Sequence, residues 1–324
     1  MPDSILESRL RVDLTAVVIT VLDGEPLVLT VQRDDGKGVG LPSGPLQRGH
    51  RSLQEGLRAW VERQTNRRLG YVEQLYTFAD RRPEGPDHPE SDDYQAVSIA
   101  YLALVPDPGE DVPLEGRWRH WYGFFPWEDL RQGVSPARTL MLGRMHDWAA
   151  GRRRPADRSC RERVDLVFGT GETFDEERTL ERYEMLYEAG LVAEAMLDHG
   201  ETPPADILAL PGLPMMADHR RILATAISRL RAKIKYRPVL FELMPPAFTL
   251  SDLQRTAEAL SGVALHKQNF RRLVAQQGLV EETGELATDT GGRPARLVRF
   301  RREVLLERPA PGVRLGARTR TAGA

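Results

Sequence analysis

A single cysteine, Cys160, stands in 324 residues, which excludes a disulfide framework within the chain and any Cys-rich zinc site. It lies beside an Arg-rich stretch with no neighbouring base in sequence, so an incidental thiol is expected. Long apolar runs are lacking as well. The longest, residues 16–22, is far below the ~20 residues a bilayer requires, and no secretory segment is expected at the start of the chain. The seven histidines show no His-Glu-x-x-His or comparable metal spacing. No internal repeat is found. The length suits about two domains, and the expected setting is cytoplasmic, with no membrane partner.

What the chain does have is charge, unevenly placed. The overall balance is −2, but from Arg229 onward 18 Lys and Arg face 9 Asp and Glu, leaving 27 against 38 in the remainder. A basic end on an acidic body is the pattern of a nucleic-acid reader.

Residues 248–300 organise that basic end. Thr249 is suited to cap a helix, with Asp252 in its first turn. Leu250, Leu253, Ala257 and Leu260 repeat at helical spacing and predict one buried face. Ser261-Gly262 stops this helix. A second follows with Phe270, Leu273 and Val274 turned inward and Gly278 as its C-cap. Two short β segments, 279–282 and 296–300, flank a Gly-rich turn carrying Arg293. Helix, turn, helix and hairpin predict a winged helix. Lys267, Gln268, Asn269, Arg271 and Arg272 are the types that make bidentate contacts to base edges. Thr249, Arg293 and Arg296 complete the candidate DNA-binding set. A winged helix used only for protein contacts remains the alternative, and it predicts weak DNA binding without sequence preference.

The N-terminal half predicts an α+β unit. Residues 14–22 and 26–32 are β-rich runs around Asp23-Gly24, a hairpin signal. A Gly-rich loop ends in Leu41-Pro42-Ser43-Gly44, and residues 53–64 form an amphipathic helix. Strands are expected at 71–78, 96–105 and 118–125, with a Pro- and acid-rich loop at 80–93. Helices are expected at 139–150 and, as one long acidic element, at 174–197. Gly169-Thr170-Gly171 lacks the third glycine and the lysine of a phosphate loop, so a tight turn is expected.

From Gly44 the spacing resembles a Nudix box, Gly-x5-Glu-x7-Arg-Glu-U-x-Glu-Glu-x-Gly-U with U aliphatic. His50 stands at the first Glu position, Arg58 keeps the Arg, and Ala59 replaces the next Glu. Trp60 takes the U position, Glu62 is kept, and Arg63, Thr65 and Asn66 replace the last Glu, Gly and U. Positions 59, 62 and 63 share one helical face. Three carboxylates there would gather Mg²⁺ beside a pyrophosphate. One carboxylate next to a guanidinium is a poor site for that ion, so hydrolysis is expected to be lost and no metal is expected. A cleft for a nucleoside diphosphate sugar would remain, with Arg58 or Arg63 near phosphate oxygens. The alternative is a Nudix pyrophosphatase using Glu62, Glu73 and loop carboxylates.

Both ends together resemble the Nudix-related transcriptional regulators of NAD metabolism (NrtR-type). The likeness runs through Tyr71-Val72-Glu73-Gln74-Leu75-Tyr76-Thr77-Phe78, Asp218-His219-Arg220-Arg221-Ile222-Leu223, Leu230-Arg231-Ala232-Lys233, Phe241-Glu242-Leu243, Asn269-Phe270-Arg271-Arg272 and Gly292-Arg293-Pro294-Ala295. The resemblance implies a Nudix-like α/β/α sandwich over 1–130 and a winged helix-turn-helix over 218–307; residues 131–217 depart from the family and are expected as a helical insertion or linker, and the Pro-, Gly- and Arg-rich residues 308–324 as a disordered basic tail. It implies a homodimeric repressor that ADP-ribose releases from a double-stranded DNA operator, with no cofactor. Arg58, Glu62, Arg63, Glu73 and Gln74 would meet the effector. The family's short loop after residues 71–78 is here extended to Tyr94.

Overall fold

The structure is a computed structural model and describes residues 9–32, 38–47, 49, 51–65, 69–80, 94–106, 116–151, 157–169, 174–287 and 294–307. The hairpin of β1 (Arg9–Leu22) and β2 (Glu25–Gln32) turns through Asp23 and Gly24, with φ of 51° and 76°. Two successive left-handed residues make the turn whose twist suits a tight hairpin. Further along the sheet come β3 (Val39–Gly40), β4 (Ser43–Pro45), β5 (Tyr71–Asp80), β6 (Tyr94–Leu104) and β7 (Gly116–His120). The main order is β3-β2-β1-β6-β5, with β4 on β1 and β7 on β2. β1 runs parallel to β6, with Leu14 opposite Ile99 and Ile19 opposite Leu104.

Strand alternation divides the sheet's side chains between two cores. Leu14, Ala16, Val18, Leu29, Tyr101 and Ala103 meet Leu57 and Val61 of α1 (Leu53–Thr65) on one face. Ser52 caps α1 by accepting the Glu55 N–H at 3.1 Å. Val17, Ile19, Val28, Ala100, Leu102 and Leu104 face the other way, into a core that continues to the C-terminal domain. A helical layer lies on each face of the sheet, but the second comes from outside residues 1–130: α7 (His219–Ile234) packs on β1 and β5, and of the helices before it, α2 (Pro136–Gly151), α3 (Asp157–Phe168), α4 (Thr179–Glu188), α5 (Glu194–Leu197) and α6 (Ala205–Leu208), α4 packs on α7.

Three local expectations need correction. The strand expected at 118–125 ends at His120, and 3-10 turns follow at Trp121–Gly123 and Pro126–Glu128. Trp121, Phe124, Phe125 and Trp127 are all fully buried, whereas a strand would send alternate side chains to opposite faces. The long helix expected at 174–197 is broken after Glu188, where Gly190 takes a φ of 68° and Leu191 N–H returns to Leu186 O at 2.9 Å. Helix α3 was not anticipated, because its charged first half hides the buried stripe of Val164, Val167 and Phe168. Gly169 closes it with a φ of 66°, while Thr170 and Gly171 lie outside the described residues.

Helix α7 carries the boundary between body and C-terminal domain. It packs on β1, β5, α4 and α8 (Leu250–Ser261) at once, and Ile222, Leu223, Ile227, Leu230 and Ile234 are buried along it. Beyond it β8 (Phe248–Thr249), α8, α9 (Lys267–Gln277), β9 (Val280–Ala287) and β10 (Ala295–Phe300) form a winged helix, its sheet ordered β8-β10-β9. A short α10 (Val304–Glu307) follows. Gly262 and Gly278 end α8 and α9 with φ of 74° and 57°, as left-handed caps do. No helix among the described residues is long and apolar enough to cross a membrane.

Candidate functional site

Two surfaces matter, one on α1 and one on α9. The loop before α1 is fastened to it. Ser43 and Gln64 exchange hydrogen bonds, Ser43 N to Oε1 at 3.2 Å and Nε2 to Ser43 O at 3.1 Å. Trp60 donates from Nε1 to Pro45 O at 2.9 Å, and its ring lies so close over Gly44 that any Cβ would collide with it. The glycine of the box is thus fixed by the tryptophan standing at an aliphatic position.

Of the five residues expected at the effector, four lie on the α1 side. Arg58 donates to Leu69 O and, at 2.9 Å, to Gly70 O, so its guanidinium holds the segment leaving α1. Glu62 and Arg63 are exposed on α1, with the Arg63 guanidinium 4.7 Å above the Trp60 ring. Gln74 is exposed opposite Tyr101, whose ring belongs to the α1 core. Glu73 is not with them. It stands opposite Leu102 on the other face, where it accepts hydrogen bonds from Lys233 Nζ of α7 and from Tyr71 Oη. Burial would raise its pKa, but these two donors outweigh burial and lower it. Glu73 therefore links the sheet to α7 and does not face the box. His50 lies outside the described residues. Among the described residues no group of three His, Cys, Asp or Glu is arranged to hold a metal.

On the winged helix the structure sorts the DNA candidates by role. Thr249 is buried and reciprocally bonded to Asp252, its Oγ1 accepting from Asp252 N at 3.1 Å while Asp252 Oδ2 accepts from Thr249 N at 2.9 Å. It is the cap of α8 and has no free face for DNA. Lys267, Gln268, Arg271 and Arg272 are exposed on the first turns of α9, and Asn269 is half-buried beside the buried Phe270. Arg271 reaches Ser251 Oγ at 3.3 Å. The side chains of Lys267, Gln268 and Arg272 engage no partner among the described residues. On the wing Arg296 Nη1 donates to both carboxylate oxygens of Glu282 at 2.7 and 2.8 Å, and Arg299 Nε meets Glu281 at 2.6 Å. These cations are already compensated. Arg293 lies outside the described residues.

Sequence reasoning missed the cluster joining the body to the end of α8. Glu128, fully buried, receives Arg182 Nη2 at 2.8 Å and Arg231 Nη1 at 2.7 Å. Burial would raise its pKa, yet the two guanidinium groups hold it at about 2. Arg231 also donates to Thr179 Oγ1 at 2.9 Å and to Leu260 O at 2.8 Å, and Tyr122 Oη donates to Ala259 O at 2.7 Å. The turn after α8 docks on the body, with Leu130 N–H on Gly262 O at 2.7 Å. A Cβ at Gly262 would overlap Glu128 O and approach Tyr122 Oη to 2.9 Å. The available signal was a carboxylate directly following the aromatic run of residues 121–127, where an unpaired charge cannot be buried.

Comparison with known proteins places both halves. Residues 240–300 match the family model described as the NrtR DNA-binding winged helix domain. The "ADPR responsive transcriptional repressor NtrR" of Acinetobacter baylyi is 42% identical over 88 residues, spanning 27% of this chain and 35% of that protein. The chain thus matches about a third of that relative's length. NrtR of Shewanella oneidensis, solved with a 27mer DNA, has a TM-score of 0.51 at 19% identity, covering 90% of this chain and 94% of that one. A MutT/nudix family protein from Enterococcus faecalis gives a TM-score of 0.50 at 15% identity over 93% and 89%. The fold is a Nudix-type body joined to an NrtR-type winged helix.

Proposed function

We propose that this chain is a DNA-binding transcriptional repressor of the NrtR type, with α9 reading an operator and the Nudix-like body sensing ADP-ribose. The observation that carries the reading is the row of exposed, unengaged Lys267, Gln268 and Arg272 at the start of the second helix of a matched winged helix. Such side chains on the first turns of a reading helix are placed to reach base edges in the major groove. Asn269 and Arg271 flank the row, Arg271 exchanging Ser251 for DNA. Arg296 contributes only by giving up Glu282. The name of the Acinetobacter baylyi relative supports ADP-ribose as effector.

On the α1 side, Arg63, Glu62 and Gln74 face solvent and would meet the phosphates and ribose, while Arg58 holds the floor of that surface. Ala59 and Arg63 stand where hydrolytic carboxylates would, so binding without cleavage is expected. The genes controlled would be those of NAD metabolism, and the reader a homodimer, because one small reading helix per half-site needs a second for an operator. An electrophoretic shift with the protein's own upstream DNA tests this. Retarded DNA that ADP-ribose releases supports the reading, and indifference to the nucleotide overturns it. Steady hydrolysis of ADP-ribose with Mg²⁺ would replace sensing by catalysis.

A further inference from the structure

The two surfaces are distant in sequence, and one helix touches the supports of both. At its N-terminus, His219 Nδ1 accepts the N–H of Leu41 at 2.9 Å, three residues before the box glycine. Met216 N–H donates to Val39 O at 2.9 Å. A Cβ on Gly40 would stand 2.8 Å from both His219 Nδ1 and Met216 Sδ, so the loop lies directly on this end of α7. The same loop is fastened to α1 on its other side by Gln64 and Trp60. Three turns further along α7, Arg231 holds the Leu260 carbonyl near the end of α8. Burial lowers the His219 pKa to about 4, so the ring is neutral near pH 7 and its Nδ1 remains an acceptor.

We propose that His219 is a positioning residue for allosteric control: through its bond to Leu41 it makes α7 report the state of the box loop to the reading head. This rests on the reading above that a nucleotide at the α1 surface controls DNA binding. Occupancy that shifts α1 moves residues 41–44, and α7 moves with them because the bond is buried and Leu41 N–H has no water to turn to. The helix is held at its other end by Glu128 and the Gly262 turn, so displacement reaches α8 as a body and is not absorbed in a linker. The competing role is that of a satisfied core histidine. It predicts lower stability on substitution and unchanged communication between sites.

The two roles separate when DNA affinity is measured with and without ADP-ribose for the parent chain, His219→Ala and His219→Asn. Asn keeps an acceptor near the Nδ1 position; Ala does not. Coupling between sites is commonly about 5- to 150-fold in affinity. The parent is expected in that range and His219→Ala within about twofold of no response, each ligand alone still binding as in the parent. His219→Asn should restore the response. A responsive parent with an equally responsive His219→Ala chain overturns the inference alone, as does an Asn variant that stays silent. A parent that ignores ADP-ribose sinks the functional reading and this inference together. Should His219→Ala fail to fold, hydrogen exchange of the unaltered chain decides. ADP-ribose must then change protection of residues 38–44 and 219–231 together, and a change confined to 38–44 overturns the proposal.

Discussion

The winged helix has an inner side and an outer side that use the same residue types in opposite ways. Inside, Arg231 is fully buried, paired with Glu128 and donating to the end of α8. Outside, Arg272 and Lys267 stand in solvent with no partner among the described residues. A buried guanidinium without its carboxylate is costly, so the inner charges hold the domain to the body. The outer charges do nothing for the fold, which leaves their interactions available to another molecule. Charge alone, therefore, does not mark a binding surface; unengaged charge does.

Substitutions can break that contrast. The largest effect is expected for Glu128→Ala, which leaves two buried guanidinium groups unpaired and should lower unfolding free energy by about 3–5 kcal/mol in urea titrations. A loss within error would mean that the inner side is held by packing alone. Acid sharpens the same point. Unfolded, a histidine protonates near 6.5, whereas His219 in the fold does so only at about 4. Stability should be full above pH 6.5 and fall as pH drops toward 4, by roughly 3 kcal/mol from this group. Thermal melts of parent and His219→Asn across that window should diverge, with the variant flatter.

On the outer side, Arg272→Ala should weaken operator binding by ~1–3 kcal/mol, read by fluorescence anisotropy, with the melting temperature unchanged. If melting falls instead, the outer side is structural too. Thr249→Ala should cost ~1 kcal/mol of stability through the lost cap and leave the anisotropy of DNA corrected for folded fraction unaltered. The smallest change is expected for Arg296→Ala, whose exposed pair with Glu282 contributes under ~1 kcal/mol to stability by urea titration.

Much of the local structure could be read from the chain. Asp23-Gly24 between two β-rich runs specifies its hairpin without help from distant residues, and Thr249, Gly262 and Gly278 punctuate α8 and α9 through backbone geometry. The failures share a cause: each depended on what lay across the interior. Residues 118–125 have strand composition, yet so many aromatics going to one core demanded 3-10 turns. Glu73 was expected with the box residues at the effector, but the period of two in β5 sends it to the opposite face, beside Lys233. The pairing of Glu128 with Arg182 and Arg231 could not be read from the chain, because no hydropathy pattern reveals a partner 54 or 103 residues away. On α9, the exposure of Lys267, Gln268, Arg271 and Arg272 was legible from residue type and spacing. The tie between Leu41 and His219, 178 residues apart, was not.

The seat of Gly262 against Glu128 and Tyr122 also bears on engineering. A winged helix grafted onto this body from another protein would need to bring a bare α-carbon and the three carbonyls of residues 259, 260 and 262 to that corner. Chimeras joined at residue 240 keep Arg231 and Glu128 but can lose the matching turn. A productive graft would therefore transplant only the outward residues of α9 and leave the docking corner as it stands.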